Sequence, residues 1–151
     1  MADHGRKEQE FWLIFERLRQ LEAFYQDMSE RINSFRDLRV YKESCDLDFS
    51  VFAVSKKFPR EELYSLTDQV RRSSRSIGAN ISEAWAKRRY PAHFVSKLTD
   101  SDGELQETRH WLGRALAYGY VTEEAFKQFE ERCDRIGGML GKMIQNPSDF
   151  T

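Results

Sequence analysis

Turn-formers and cysteines are scarce in this sequence, which has eight glycines, three prolines and two cysteines in 151 residues. So few breakers exclude a β-rich domain closed by tight turns, and they exclude a disordered linker chain. The two cysteines, Cys45 and Cys133, stand far apart and in no metal-ligand spacing. Each falls on an apolar helical stripe, so buried thiols without a disulfide are expected. No window approaches the roughly eighteen apolar residues of a membrane span, and the N-terminal MADHGRKEQEF has no signal-peptide type of apolar run. A cytoplasmic protein without membrane contact is expected. An excess of one charge is also missing, with 24 Lys and Arg against 25 Asp and Glu. Any contact with a polyanion must therefore come from local charge. Neither a phosphate-binding glycine loop nor a nucleophile with its base can be found, so no catalysis and no cofactor are expected.

What is present is helical. The chain is 40% hydrophobic and 32% charged and is long enough for one core. Phe11, Ile14, Leu18, Leu21, Tyr25, Met28 and Ile32 step by alternating threes and fours. That spacing predicts an amphipathic N-terminal helix over 1–34, with a coiled-coil seam for a partner or for an oligomer. Phe15 and Phe24 widen its apolar face. Asp37 is a possible N-cap for a second helix, whose stripe is Leu38, Tyr41, Cys45, Phe49 and Phe52. FPREELYSL connects it to a third, opened by Ser65 and Asp68 at capping-box spacing and ended near Tyr90 by Pro91. Phe94, Leu98, Leu105, Leu112 and Ala115 carry a fourth helix to the Tyr118-Gly119-Tyr120 corner. Thr122 caps the last, whose stripe is Phe126, Phe129, Cys133, Ile136, Leu140 and Ile144. The expected fold is all-α, an up-and-down antiparallel four-helix bundle over 35–146 with the added N-terminal helix, and a patternless tail over 147–151.

The third helix holds the strongest local charge. Residues 66 to 93 contain six Lys and Arg against Asp68 and Glu83. On a helical projection Leu66, Val70, Ile77, Ile81 and Ala84 form the core face. Arg71, Arg75, Gly78, Ala79, Ser82, Ala86 and Arg89 share a second sector, a strip of small residues with arginine at both margins. Arg71, Arg72, Arg75, Lys87, Arg88 and Arg89 are thus candidate phosphate contacts, interleaved with small residues rather than with stacking aromatics. Trp85 lies near the edge of the core sector and is expected to pack. The alternative is that Arg71, Arg75 and Arg89 bridge to acidic residues such as Asp100, Asp102, Glu130 or Glu131, in the same or a neighbouring subunit. Asn80 and Glu83 form an i,i+3 pair on the third side, expected to be a structural polar motif.

Two catalytic spacings are weaker. Glu107 and His110 have the Glu-x-x-His spacing of di-iron bundles, but no second copy exists, because His4 and His93 lack an acidic residue three positions earlier. No metal site is expected. Arg88 and His93 have the Arg-x4-His spacing of a group of helical ribonucleases, interrupted by Pro91.

FRDLRVY, KKFPREELYSLTDQVRRSSRSIGANISEAWAKRR, FVSKLTDSDGELQET, AYGY and RIGGML follow one another in an order that resembles the bacterial four-helix-bundle proteins encoded in 23S rRNA intervening sequences. Relatives of the accessory variability determinant of diversity-generating retroelements resemble the same pattern. The likeness covers roughly Phe35 to Ile144 and departs at Ser65 and Ala84, where glycine is frequent, and at Gly78, where proline is. It implies an up-and-down bundle that often assembles as a cyclic pentamer. It also implies binding of RNA or DNA and work beside a reverse transcriptase, as in the retroelement relatives. A protein-only oligomeric adaptor is the alternative function, with a helical ribonuclease behind it.

Overall fold

The computed structural model describes Leu13, Glu16, Arg17, Arg19, Gln20 and residues 31–150. The chain divides into two units, 1–33 and 34–151. In the first, the five described residues before position 21 are helical, and Arg19 pairs with Glu16 at 2.9 Å. Phe11, Ile14, Leu18, Leu21, Tyr25 and Met28 of the expected seam lie outside the described residues. Ile32 is described; it is exposed and not helical, so the seam does not reach it as a helix.

The second unit is all-helical among its described residues. Four helices, α1 (Arg39–Ser55), α2 (Leu66–Ala86), α3 (Pro91–Ala117) and α4 (Glu123–Gln145), are joined by short connections that force neighbours to run antiparallel. Each packs on the next in sequence, and α1 closes the bundle on α4. The inner faces of α2 and α3 match their apolar spacing: Val70, Ile77, Ile81, Ala84, Phe94, Leu98, Leu105 and Leu112 are almost wholly buried. These two helices pack most extensively. They are stitched by buried hydroxyls, Thr108 Oγ1 donating to Ser73 Oγ at 2.9 Å and Ser101 Oγ to the Ile77 carbonyl at 2.9 Å. Among the described residues no buried side-chain nitrogen or oxygen lacks a partner.

Helix α1 is rotated from the expected face. Its buried residues are Val40, Ser44, Leu47, Val51 and Ser55, whereas Phe49 is 72% exposed and Phe52 only half-buried. The larger hydrophobes misled the spacing argument because α1 packs closely on α2 and needs small side chains there. A Cβ on Gly78 would stand 3.1 Å from Ser44 Oγ and 3.5 Å from the Tyr41 ring. Cys45 is accordingly exposed, against expectation, and only Cys133 is buried, its thiol pushed up to about 12 mainly by burial.

Three boundaries also differ. Asp37 is not the cap of α1. It closes a capping box with Ser34 around a 3-10 turn, Phe35–Asp37, and Leu38 occupies the N-cap of α1. Ser65 is the N-cap residue of α2, but Asp68 does not complete a box; the Glu62 carboxylate takes the Leu66 N–H at 3.2 Å and the Ser65 hydroxyl. Helix α2 ends at Ala86 rather than near Tyr90, and Pro91 is the first residue of α3, where its missing N–H costs nothing. Thr122 caps α4 by accepting from the Ala125 N–H, and Gly119 makes the preceding corner at φ +77°. The tail is ordered against the core, with Phe150 6.0 Å from the Phe94 ring after a 3-10 turn at Pro147–Asp149.

Candidate nucleic-acid interface

The six cations singled out by sequence do not form one strip. Arg71 and Lys87 are sixteen residues apart along α2, about 24 Å at 1.5 Å per residue. The first group is engaged within the chain. Arg71 Nε donates to Ser55 Oγ at 2.8 Å, and its guanidinium lies 5.0 Å from the Phe52 ring centre. Arg75 faces Asp48 of α1 at 3.8 Å, and Arg72 turns the other way, to Gln69 at 3.1 Å and Glu107 of α3 at 3.7 Å. The last two ion pairs are long and exposed and contribute little. Within the chain, among the described residues, none of the acceptors expected from sequence pairs with Arg71, Arg75 or Arg89. Asp100 is with Lys97, and Glu130 holds Arg109 together with Asp134. Burial raises the Asp48 carboxyl above its ordinary value despite Arg75, which marks that pair as weak.

Asn80 and Glu83 do not pair either. Asn80 Nδ2 donates to the Ser76 carbonyl at 3.0 Å, and Glu83 binds Lys97 of α3 at 2.9 Å, which holds its carboxyl below the ordinary range. Gly78 of the small strip is filled by Tyr41 and Ser44 of the same chain.

The second group lies past the end of α2, on the turn into α3. Arg88 is folded back: its guanidinium sits 4.1 Å over the Trp85 ring, and Nη1 donates to the Trp85 carbonyl at 2.9 Å. Trp85 itself packs on the core. Lys87 and Arg89 are exposed and, among the described residues, in no ion pair. Tyr90 follows, 61% exposed, with the His93 ring 5.9 Å away. Ala86, Arg88, Arg89 and Tyr90 line an open concavity of about 450 Å³.

The antiparallel topology brings further cations to this same end of the bundle. The Phe35–Asp37 turn packs on α1 and α2, and the Pro147–Asp149 turn packs on α3 and α4. Arg36, Arg39 and Lys42 thereby join from the start of α1, and Lys142 joins from the last turn of α4. The carboxylates here are Asp37, which accepts from the Ser34 N–H at 3.0 Å, Asp149, Glu43, next to Lys42 and 3.9 Å from Arg135, and Glu83 in the last turn of α2, held by Lys97 at 2.9 Å. Both helices that start at this end, α1 and α3, lack a side-chain cap and lack any acidic residue in their first turn. Positive helix termini and side-chain cations therefore point the same way. Sequence reading missed Arg36, Arg39, Lys42 and Lys142 because they are dispersed along the chain; only the antiparallel return of the helices gathers them.

Glu107 of the Glu-x-x-His spacing accepts from Trp111 Nε1 at 3.2 Å and faces Arg72, while exposed His110 lies edge-on to Trp111 at 4.7 Å. Among the described residues no cluster of three His, Cys, Asp or Glu could hold a metal ion. No helix among them is long and apolar enough to cross a membrane.

Comparison with known proteins matches the bundle. A solved structure, that of a protein of unknown function from the S23 ribosomal protein family of Bacteroides thetaiotaomicron VPI-5482, is 28% identical, with a TM-score of 0.63 over 70% of this chain and 97% of that one. No curated protein is significantly similar to the chain. The family model of the 23S rRNA-intervening sequence proteins matches residues 36–142, which spans all four helices up to the last turn of α4, and the chain belongs to that family.

Proposed function

We propose that the protein is a non-catalytic nucleic-acid-binding subunit that holds sugar-phosphate backbone on the basic end of its bundle. The observation that carries this reading is the convergence of Arg36, Arg39, Lys42, Lys87, Arg89 and Lys142 on one end, where neither helix start carries a carboxylate. The whole chain is close to neutral, so this asymmetry supplies the local field that a polyanion needs. Arg71 ties α2 to α1 through Ser55, and Arg72 and Arg75 lie toward Glu107 and Asp48, away from that end.

Binding of labelled RNA and DNA by the purified protein at rising salt tests this. Lys87→Gln, Arg89→Gln and Lys142→Gln together are expected to weaken binding and to lower the salt slope by about 0.7–0.9 per lost phosphate contact. Arg71→Gln, Arg72→Gln and Arg75→Gln together should change the slope far less. Equal effects of the two triples would refute the assignment to the basic end.

A homo-oligomer is the second part of the reading. It is supported by Phe49, exposed beside an open groove of about 410 Å³ between α1 and α4 that Ala53, Val54 and Phe129 line. A pentameric ring, as the resemblance implies, would repeat the basic end several times and sum weak contacts by avidity. Work beside a reverse transcriptase rests on the resemblance alone. Mass measurement in solution decides the assembly; a monomer at micromolar concentration removes the avidity.

A further inference from the structure

We infer that the basic end takes single-stranded polynucleotide, with Tyr90 as the ring on which an unpaired base stacks; this rests on the nucleic-acid reading above. Large side chains are exposed at several places on the bundle, and their surroundings separate them. Tyr64, at 91% the most exposed, lies two and three residues from Glu62 and Glu61. Phe49 has Asp46 and Asp48 on its own helix. The Tyr118 ring is already covered by Arg114, at 5.2 Å, and by Tyr120, at 5.7 Å. Carboxylates or existing ring contacts disfavour all three as platforms for a polyanion.

Tyr90 has no carboxylate within three residues in sequence and, among the described residues, no cation over its ring. It follows Lys87, Arg88 and Arg89 directly, and among the described residues its one ring neighbour is His93. Tyr90 borders the open concavity of about 450 Å³ that it shares with Ala86, Arg88 and Arg89. Arg88 is held on Trp85, so it forms a fixed wall rather than a mobile arm. Arg89 and Lys87 are then the cations placed to meet phosphates on either side of a base seated on Tyr90. A duplex keeps its bases stacked on each other and offers only phosphates, whereas a single strand offers both phosphate and a free π-face. The combination of an exposed ring with flanking cations is the chemistry that single strands use.

The test measures binding of the full-length protein to fluorescein-labelled oligouridylate, oligodeoxythymidylate, an abasic oligomer of the same length and a blunt duplex. The wild type should bind the first two more tightly than the abasic strand and the duplex. Tyr90→Ala should weaken oligouridylate and oligodeoxythymidylate binding by about 5- to 150-fold, the range for loss of one stacked base. It should leave the abasic strand and the duplex as they were. Tyr90→Phe keeps the ring and should retain the preference. Tyr118→Ala is the control at the opposite end, and circular dichroism checks that each variant is folded. If Tyr90→Ala binds all four probes as the wild type does, stacking on Tyr90 is wrong while the basic-end reading stands. If the wild type binds none of them, both fall.

Discussion

The two ends of the bundle are built from the same helices but by opposite rules. At the end where α2 and α4 begin, helix starts are satisfied by side chains. Thr122 caps α4 ahead of Glu123 and Glu124, and Glu62 takes the Leu66 N–H while also accepting from Tyr120 OH at 3.1 Å. Connector, helix start and corner are thereby tied together. At the end where α1 and α3 begin, neither of these two helices has a side-chain cap or an acidic first turn, and cations gather there instead. Each omitted cap or misplaced charge forgoes about 0.3–1 kcal/mol. A bundle that caps one end and leaves the other basic is the asymmetry on which the proposed polynucleotide contact rests.

Charge reversal gives the largest expected effect on this contrast. Arg39→Glu, Lys42→Glu and Arg89→Glu together should abolish detectable polynucleotide binding, because about three phosphate contacts become repulsive. Lys56→Glu, Lys57→Glu and Arg60→Glu at the capped end should leave binding within a few-fold, as fluorescence anisotropy would show. Equal losses would dissolve the distinction between the ends.

Stability should respond in the reverse order. Gly119→Ala forces a side chain into the left-handed backbone at φ +77° and should destabilise the bundle by about 1–2 kcal/mol. Thr122→Ala removes the hydroxyl that accepts from the Ala125 N–H and should cost about 1 kcal/mol in denaturant unfolding. Arg39→Glu, by contrast, places a carboxylate in the bare first turn of α1 and should stabilise by about 0.3–1 kcal/mol while weakening binding.

The smallest expected effect is on acidification. The Glu62 carboxyl is held below its ordinary value first by the Ser65 hydroxyl and then by the Leu66 N–H, with Tyr120 adding to them. A carboxylate whose folded pKa is depressed stabilises fully above its unfolded value and loses that contribution as pH falls through the folded one. Wild type and Glu62→Gln should therefore differ in melting temperature near neutrality and converge in acid. A constant gap across that range would show that the ionised carboxylate is not what ties the capped end together.

The number and order of the bundle's four helices and most of the core were legible in the sequence, since the spacing of Phe94, Leu98, Leu105 and Leu112 or of Phe129, Cys133, Ile136 and Leu140 has one inward solution, and all eight are buried. Thr122 and Gly119 marked their boundaries because caps and left-handed corners act within a few residues, whereas α2 stopped five residues before Pro91, which opens α3. Local rules failed where a neighbour decided. Helix α1 turned Phe49 and Cys45 outward because Gly78 lets it approach α2 through Ser44, a contact between residues 34 positions apart. The fate of each arginine was equally out of reach, since Ser55, Asp48 and Glu107 became acceptors only when α1 and α3 were laid beside α2. Periodicity along one chain segment thus determined which residues are helical and which sides are apolar, because those preferences are set over one or two turns. The rotation of each helix, the partner of each cation and the gathering of Arg36, Arg39, Lys42, Lys87, Arg89 and Lys142 at one end were decided by tertiary packing, because charges distant in sequence become neighbours only when antiparallel helices return to the same end.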